Sequence, residues 1–161
     1  TRYYQQTNTA MLEVKTKDGR GKTVKTRTQY DPETLHSLNE QGRQFINTIV
    51  EEEEIVKDLR QTLTTKYQRT TIVDPNTQTR MTCDGFLTCT DWENNTISLP
   101  MIILETKSSQ HPSPFDTWLW DHHCRPNRIS KYCTALAVLH PELPSNKWHQ
   151  TIKYFFLSPV P

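Results

Sequence analysis

The chain has 161 residues, 34% of them hydrophobic and 23% charged, with a formal net charge of +1. That length suffices for one domain with a sizeable core, and the low hydrophobic share implies a modest core under a broad polar surface. No run of about 18 apolar residues occurs, which excludes a membrane-spanning helix.

The charge is unevenly placed. Residues 1–30 hold seven Lys/Arg against two Asp/Glu, whereas residues 31–63 hold three against eight. A basic arm beside an acidic segment suits a polyanionic partner and a cation site, although two ordinary solvated faces give the same pattern. The four cysteines form no CxxC pair, which reads as free thiols in a reducing, intracellular setting. The chain starts at Thr1 without Met, and it is expected to be part of a larger parent protein.

In chain order, Ala10–Lys17 and Lys22–Thr28 each alternate apolar and charged residues around Asp18-Gly19-Arg20-Gly21. This predicts an N-terminal β-hairpin. Asp31-Pro32 is a helix start, and Leu35, Leu38, Phe45, Ile49, Val56, Leu59 and Leu63 recur at helical spacing, predicting one long helix over residues 32–63. Gly42 falls on the same stripe, at a place where another backbone can pack close.

Two strands follow, Tyr67–Val73 and Thr79–Thr90, around the Asp74-Pro75-Asn76 turn. In the second, Met81, Cys83, Leu87 and Cys89 are expected to face the core. Thr96–Thr106 is nearly continuous apolar sequence, the pattern of a central strand buried on both faces. Asn127 is placed to cap a helix reaching Leu139, and Thr151–Leu157 reads as a final strand. The expected fold is α/β, a mixed central sheet flanked by helices. The hairpin arm covers residues 1–30 and the core residues 31–161, as one compact domain.

The chemistry centres on the end of the third strand. Glu105 and Lys107 are two residues apart and so share a face. If strands 79–90 and 96–106 pair through the Asp91–Asn95 turn, Asp84 approaches them. Two carboxylates suit Mg²⁺ or Mn²⁺, and a lysine beside them can orient a metal-activated water.

Cys83-Asp84-Gly85-Phe86-Leu87 followed by Ile103-Leu104-Glu105-Thr106-Lys107-Ser108 resembles the PD-(D/E)XK signature of restriction-endonuclease-like nucleases. Cys83 stands where the family usually has Pro. The order helix, three strands, helix, strand matches that superfamily's αβββαβ core. The resemblance implies a metal-dependent nuclease acting on DNA or RNA, with Asp84, Glu105 and Lys107 catalytic and Mg²⁺ or Mn²⁺ held by Asp84 and Glu105. It also implies a glutamate from the first helix. Among Glu51 to Glu54, helical phase puts Glu52 on the apolar stripe and Glu53 at its edge, so Glu52 is the expected third ligand. A run of four solvated glutamates is the competing reading.

The histidine ligand of viral cap-snatching relatives has only His36 to supply it, on the face away from the stripe. The glutamate of the decapping branch is Thr82 here. A zinc site on Asp121, His122, His123, Cys124 and Cys133 lacks the usual ligand spacing. Arg125, Arg128 and Lys131 are candidates for phosphate contacts, and Trp118 and Trp120 for base stacking. The alternative reading is a nuclease-like fold without turnover, used to bind nucleic acid or protein.

Overall fold

A computed structural model describes residues 1–107 and 112–157. The chain divides into two compact units, Thr1–Gln61 and Thr62–Pro161. Both are antiparallel sheets accompanied by helices. The expected mixed sheet is therefore corrected: among the described residues every strand pair runs antiparallel, without the helical crossovers that parallel strands need.

In the first unit, β1 (Arg2–Tyr4), β2 (Thr9–Lys17) and β3 (Thr23–Tyr30) are ordered β1-β2-β3. The expected hairpin is present, with Ala10 opposite Tyr30 and Lys17 opposite Thr23. Its loop is closed by the Asp18 carboxylate, which accepts from the amides of Arg20 and Lys22. Ala10, Leu12 and Tyr30 bury one face against Ile46 and Val56, so residues 31–61 group with the hairpin.

The single helix expected over residues 32–63 is instead a 3₁₀ turn at Pro32–Thr34, α1 (Glu40–Val50) and α2 (Glu53–Asp58). The break falls at Glu51, with φ 59°, and Glu52, with φ −135°. Four adjacent carboxylates repel one another in a continuous helix. Breaking the chain there puts Glu53 and Glu54 in the first turn of α2, where the helix dipole favours negative charge. Arg43 of α1 donates to the carbonyls of Val56 and Lys57 at the other end of α2. Gly42 does lie at a close approach, but to a side chain: a Cβ there would meet the Tyr30 ring at 3.0 Å.

The second unit holds β4 (Leu63–Val73), β5 (Arg80–Asp91), β6 (Thr96–Leu99) and β7 (Ile103–Lys107). The central strand is β5, with β4 on one side and β6 and β7 successively along the other. The continuous central strand expected over 96–106 is thus two short pieces. Pro100, which lacks an N–H, interrupts the ladder between them.

Strand β5 contains a bulge. Lys66 pairs with Thr88 but Gln68 pairs with Gly85, so Phe86 and Leu87 stand opposite Tyr67 alone. Phe86 carries the strain, with φ 55° and a side chain 80% exposed. The extra residue reverses the alternation: Thr82 and Asp84 share the buried face with Leu87, Cys89 and Asp91. Met81 and Cys83, expected in the core, are only half-buried.

Helix α3 (Pro114–Asp121) begins with a capping box between Ser113 and Asp116, and α4 (Lys131–Leu139) begins at Ser130, not Asn127. The expected strand at 151–157 is a helix, α5 (His149–Phe155). Ile152 is buried and Phe155 and Phe156 pack on the core, the spacing of one helical face. With a helix in that position and residues 31–61 joined to the hairpin, the αβββαβ core is not formed. No helix among the described residues is long and apolar enough to cross a membrane.

Ala135 of α4 packs on Leu87, Cys89 and Leu99, and Leu87 is 1% exposed. Leu87→Ala should therefore cost about 2–5 kcal/mol of stability, read as a lower urea midpoint, because the cavity lies under a helix whose buried positions are the small residues Thr134, Ala135 and Ala137.

Candidate functional site

Asp84 is fully buried, at 0% exposure, and an isolated buried carboxylate is costly. Two cations meet it. Arg69 of β4, its Cα partner across the ladder, donates from Nε to Oδ1 at 2.6 Å and from Nη2 to Oδ2 at 2.7 Å. This is the two-pronged geometry that guanidinium and carboxylate share. Lys131 Nζ, from the first turn of α4, lies 2.7 Å from Oδ2. The Tyr67 ring sits beneath both, 5.2 Å from the Arg69 guanidinium and 5.3 Å from the Lys131 ammonium. Tyr67 is two residues from Arg69 on β4 and so shares its face.

Glu105 and Lys107 continue the same face along β7. Glu105 is the Cα partner of Thr82 and Lys107 of Arg80, so Arg80, Thr82 and Asp84 form one row with them. Lys107 Nζ is 2.9 Å from Glu105 Oε1, a half-exposed pair worth little to stability. Burial pushes the carboxyls of Asp84 and Glu105 up, but their cations outweigh it and both are held below the usual range: Arg69 and Lys131 for Asp84, Lys107, Lys131 and Arg69 for Glu105.

The structure thus brings Asp84, Glu105, Lys107 and Lys131 onto one face. Arg125 and Arg128 lie exposed in the segment before α4, with Arg125 stacked on Trp120 and the Arg128 carbonyl accepting from Thr151. Glu52 is exposed at the start of α2 in the other unit. His36 bonds Gln61. Among the described residues no group of three or more His, Cys, Asp or Glu side chains is placed to hold a metal ion, including Asp121 to Cys124 with Cys133, and all four cysteines are free.

A second charged face lies on the sheet of the first unit. Glu13, whose side chain is 6% exposed, is approached by Arg27 at 3.1 Å and by Arg2 and Lys15 at 3.5 Å each. Burial pushes its carboxyl up, but Arg2, Lys15 and Arg27 hold it below the usual range. Register adds Lys17 and Lys25 to this face, which thus carries five cations, three of them meeting the carboxylate. The signal was in the sequence, as Glu13, Lys15, Lys17 and Lys25, Arg27 alternate against the apolar positions. Arg69 was harder to find, because its place depends on the bulge.

A family model described as the VTC domain matches residues 1–140, and the chain belongs to that family. No curated protein and no solved structure matches it. Because the VTC domain is not a nuclease family, membership overturns the resemblance to PD-(D/E)XK nucleases and, with it, the metal-dependent nuclease activity. The alternative of an inactive nuclease-like binding module loses its basis too. What suggested that signature was an acid and a Glu-x-Lys at neighbouring strand positions, a spacing that any charged antiparallel face can produce.

Because the folded protein holds Asp84 below its ordinary pKa, its pairing stabilises the fold fully above about pH 4 and is lost as pH falls through the lowered value. Asp84→Asn should therefore lose stability at pH 7 in urea titrations, and its deficit relative to the parent should shrink steadily below about pH 4. A deficit constant from pH 7 to pH 2 would remove the carboxylate's charge from the account.

Proposed function

We propose that this chain binds an anionic, phosphate-bearing ligand on its charged sheet faces. One observation carries the reading: on each sheet a shielded carboxylate is centred among cations that outnumber it and keep part of their surface in solvent. The carboxylate fixes where the cations stand, and the surplus positive charge calls for an anion. In the second unit Arg69 uses Nε and Nη2 on Asp84, which leaves Nη1 for a ligand oxygen. Lys131 spends one contact on Asp84 and has further protons to donate.

The Ser130-capped start of α4 adds amides and a dipole of the favourable sign beside the pair. Arginine matches a phosphate with two parallel bonds, and lysine supplies a point charge. In this reading Mg²⁺ or Mn²⁺ enters only with the ligand's phosphates, beside Glu105, since among the described residues the side chains alone assemble no metal cluster.

Pyrophosphate tests the reading by calorimetry. The parent protein should bind it, more weakly as salt rises. Arg69→Ala and Lys131→Ala should each lose affinity by about tenfold or more, whereas Lys147→Ala, remote in sequence on the turn before α5, should bind as the parent does. A parent that does not bind, or Arg69 and Lys131 variants that bind like it, would overturn the proposal. Arg27→Ala applies the same measurement to the first unit.

A further inference from the structure

Helix α4 is fastened at both ends to carboxylates of one strand. At its start, Lys131 meets Asp84. Just past its end, His140 Nε2 donates to Asp91 Oδ2 across 3.0 Å. Asp91 is itself fixed: Oδ1 accepts from the amides of Glu93 and Asn95, and Oδ2 also from the Asn95 side chain. The His140 ring is stacked on Trp92 at 4.2 Å and 7° from parallel, and its Nδ1 is 3.3 Å from Glu142. A histidine at 8% exposure is thus held on three sides.

The distances explain why both anchors matter. Nine helical residues rise about 13 Å, while β5 from Asp84 to Asp91 runs about 20 Å even with a bulge. Lys131 and His140 bridge the difference by leaning out of opposite ends. Between them the buried positions of α4 are Thr134, Ala135 and Ala137, side chains too short to lock the helix axially against Leu87 and Cys89. Near the first turn, Tyr132 also shares a hydrogen bond with Thr62.

The geometry points to Asp91 and His140 as a positioning pair for the anion site: they set where α4 stands along β5, and so how Lys131 meets Asp84 and the ligand. This rests on the proposed anion binding and adds the means by which the site is held ready. Neither residue touches the ligand.

The test is a double-mutant cycle in the full chain with pyrophosphate as the probe. His140→Ala should weaken binding about fivefold, and adding it to Lys131→Ala should cost nothing further, because both act through one contact. His140→Gln, whose amide can still donate to Asp91, should return affinity to within about twofold of the parent. Additive losses, or a His140→Ala variant that binds like the parent, would overturn the inference.

Hydrogen exchange without ligand supplies an independent arm. His140→Ala should speed exchange at Cys133 and Thr134 in the first turn, and acceleration confined to the last turn would sink the idea. Should His140→Ala fail to fold, Trp92→Ala carries the same cycle. If the parent binds no pyrophosphate, the proposed function falls, while the exchange arm still decides whether the two ends of α4 are coupled.

Discussion

The Asp84 carboxylate has no access to water, so its charge must be met from inside the protein. That demand organises the second unit. Arg69 can meet it only if β4 and β5 pair in the observed register. Lys131 can meet it only if α4 starts where Ser130 caps it and lies along β5 over small side chains. Tyr67 lies beside both cations because it is two residues from Arg69 on β4 and so shares its face. Removing either cation would leave a buried charge half-compensated, a change that typically costs several kcal/mol. Sheet register, helix position and charged face therefore stand or fall together.

The first unit repeats the device on different parts. Glu13 sits in the middle strand of its sheet, and its cations come from β1, β2 and β3 in turn. Here no helix contributes, and the opposite face of the same sheet carries the core against α1. One side of the hairpin is therefore apolar and committed to folding, while the other is charged and available. The uneven distribution of charge along the chain follows from this: the basic excess of residues 1–30 lies largely on one sheet face, and the acidic excess of residues 31–63 is gathered in the glutamates where α1 gives way to α2.

Much of this was legible in the residues. Period-two alternation located the hairpin, β-rich runs at 67–73 and 79–90 located most of β4 and β5, and Glu105 and Lys107 stood out as charges at the end of an apolar strand. What was hidden depended on single residues acting on the backbone. Four glutamates broke a helix whose apolar spacing ran on unbroken. Pro100 divided a strand whose composition looked continuous. Phe-Phe-Leu after Tyr154 has strand composition, yet Ile152, Phe155 and Phe156 bury one helical face. The short motif misled for a related reason: strand alternation places an acid, an acid and a lysine together without any catalytic history, and the wider VTC domain match decided the family.

The bulge in β5 has a bearing on how this strand tolerates change. Before Gly85 the residues turned inward are even-numbered; after Phe86 they are odd-numbered. A substitution map of the strand would therefore show a phase slip at its middle, with sensitive positions spaced by two on either side and by three across it. Single-residue deletions elsewhere in the strand would not act as local lesions, because the residues beyond them would change face. Losing Phe86 would remove the extra residue and restore uniform alternation, with Thr82, Asp84, Leu87, Cys89 and Asp91 all kept on the buried face. The point of β5 at which a residue can be lost without turning its neighbours over thus coincides with an exposed aromatic side chain.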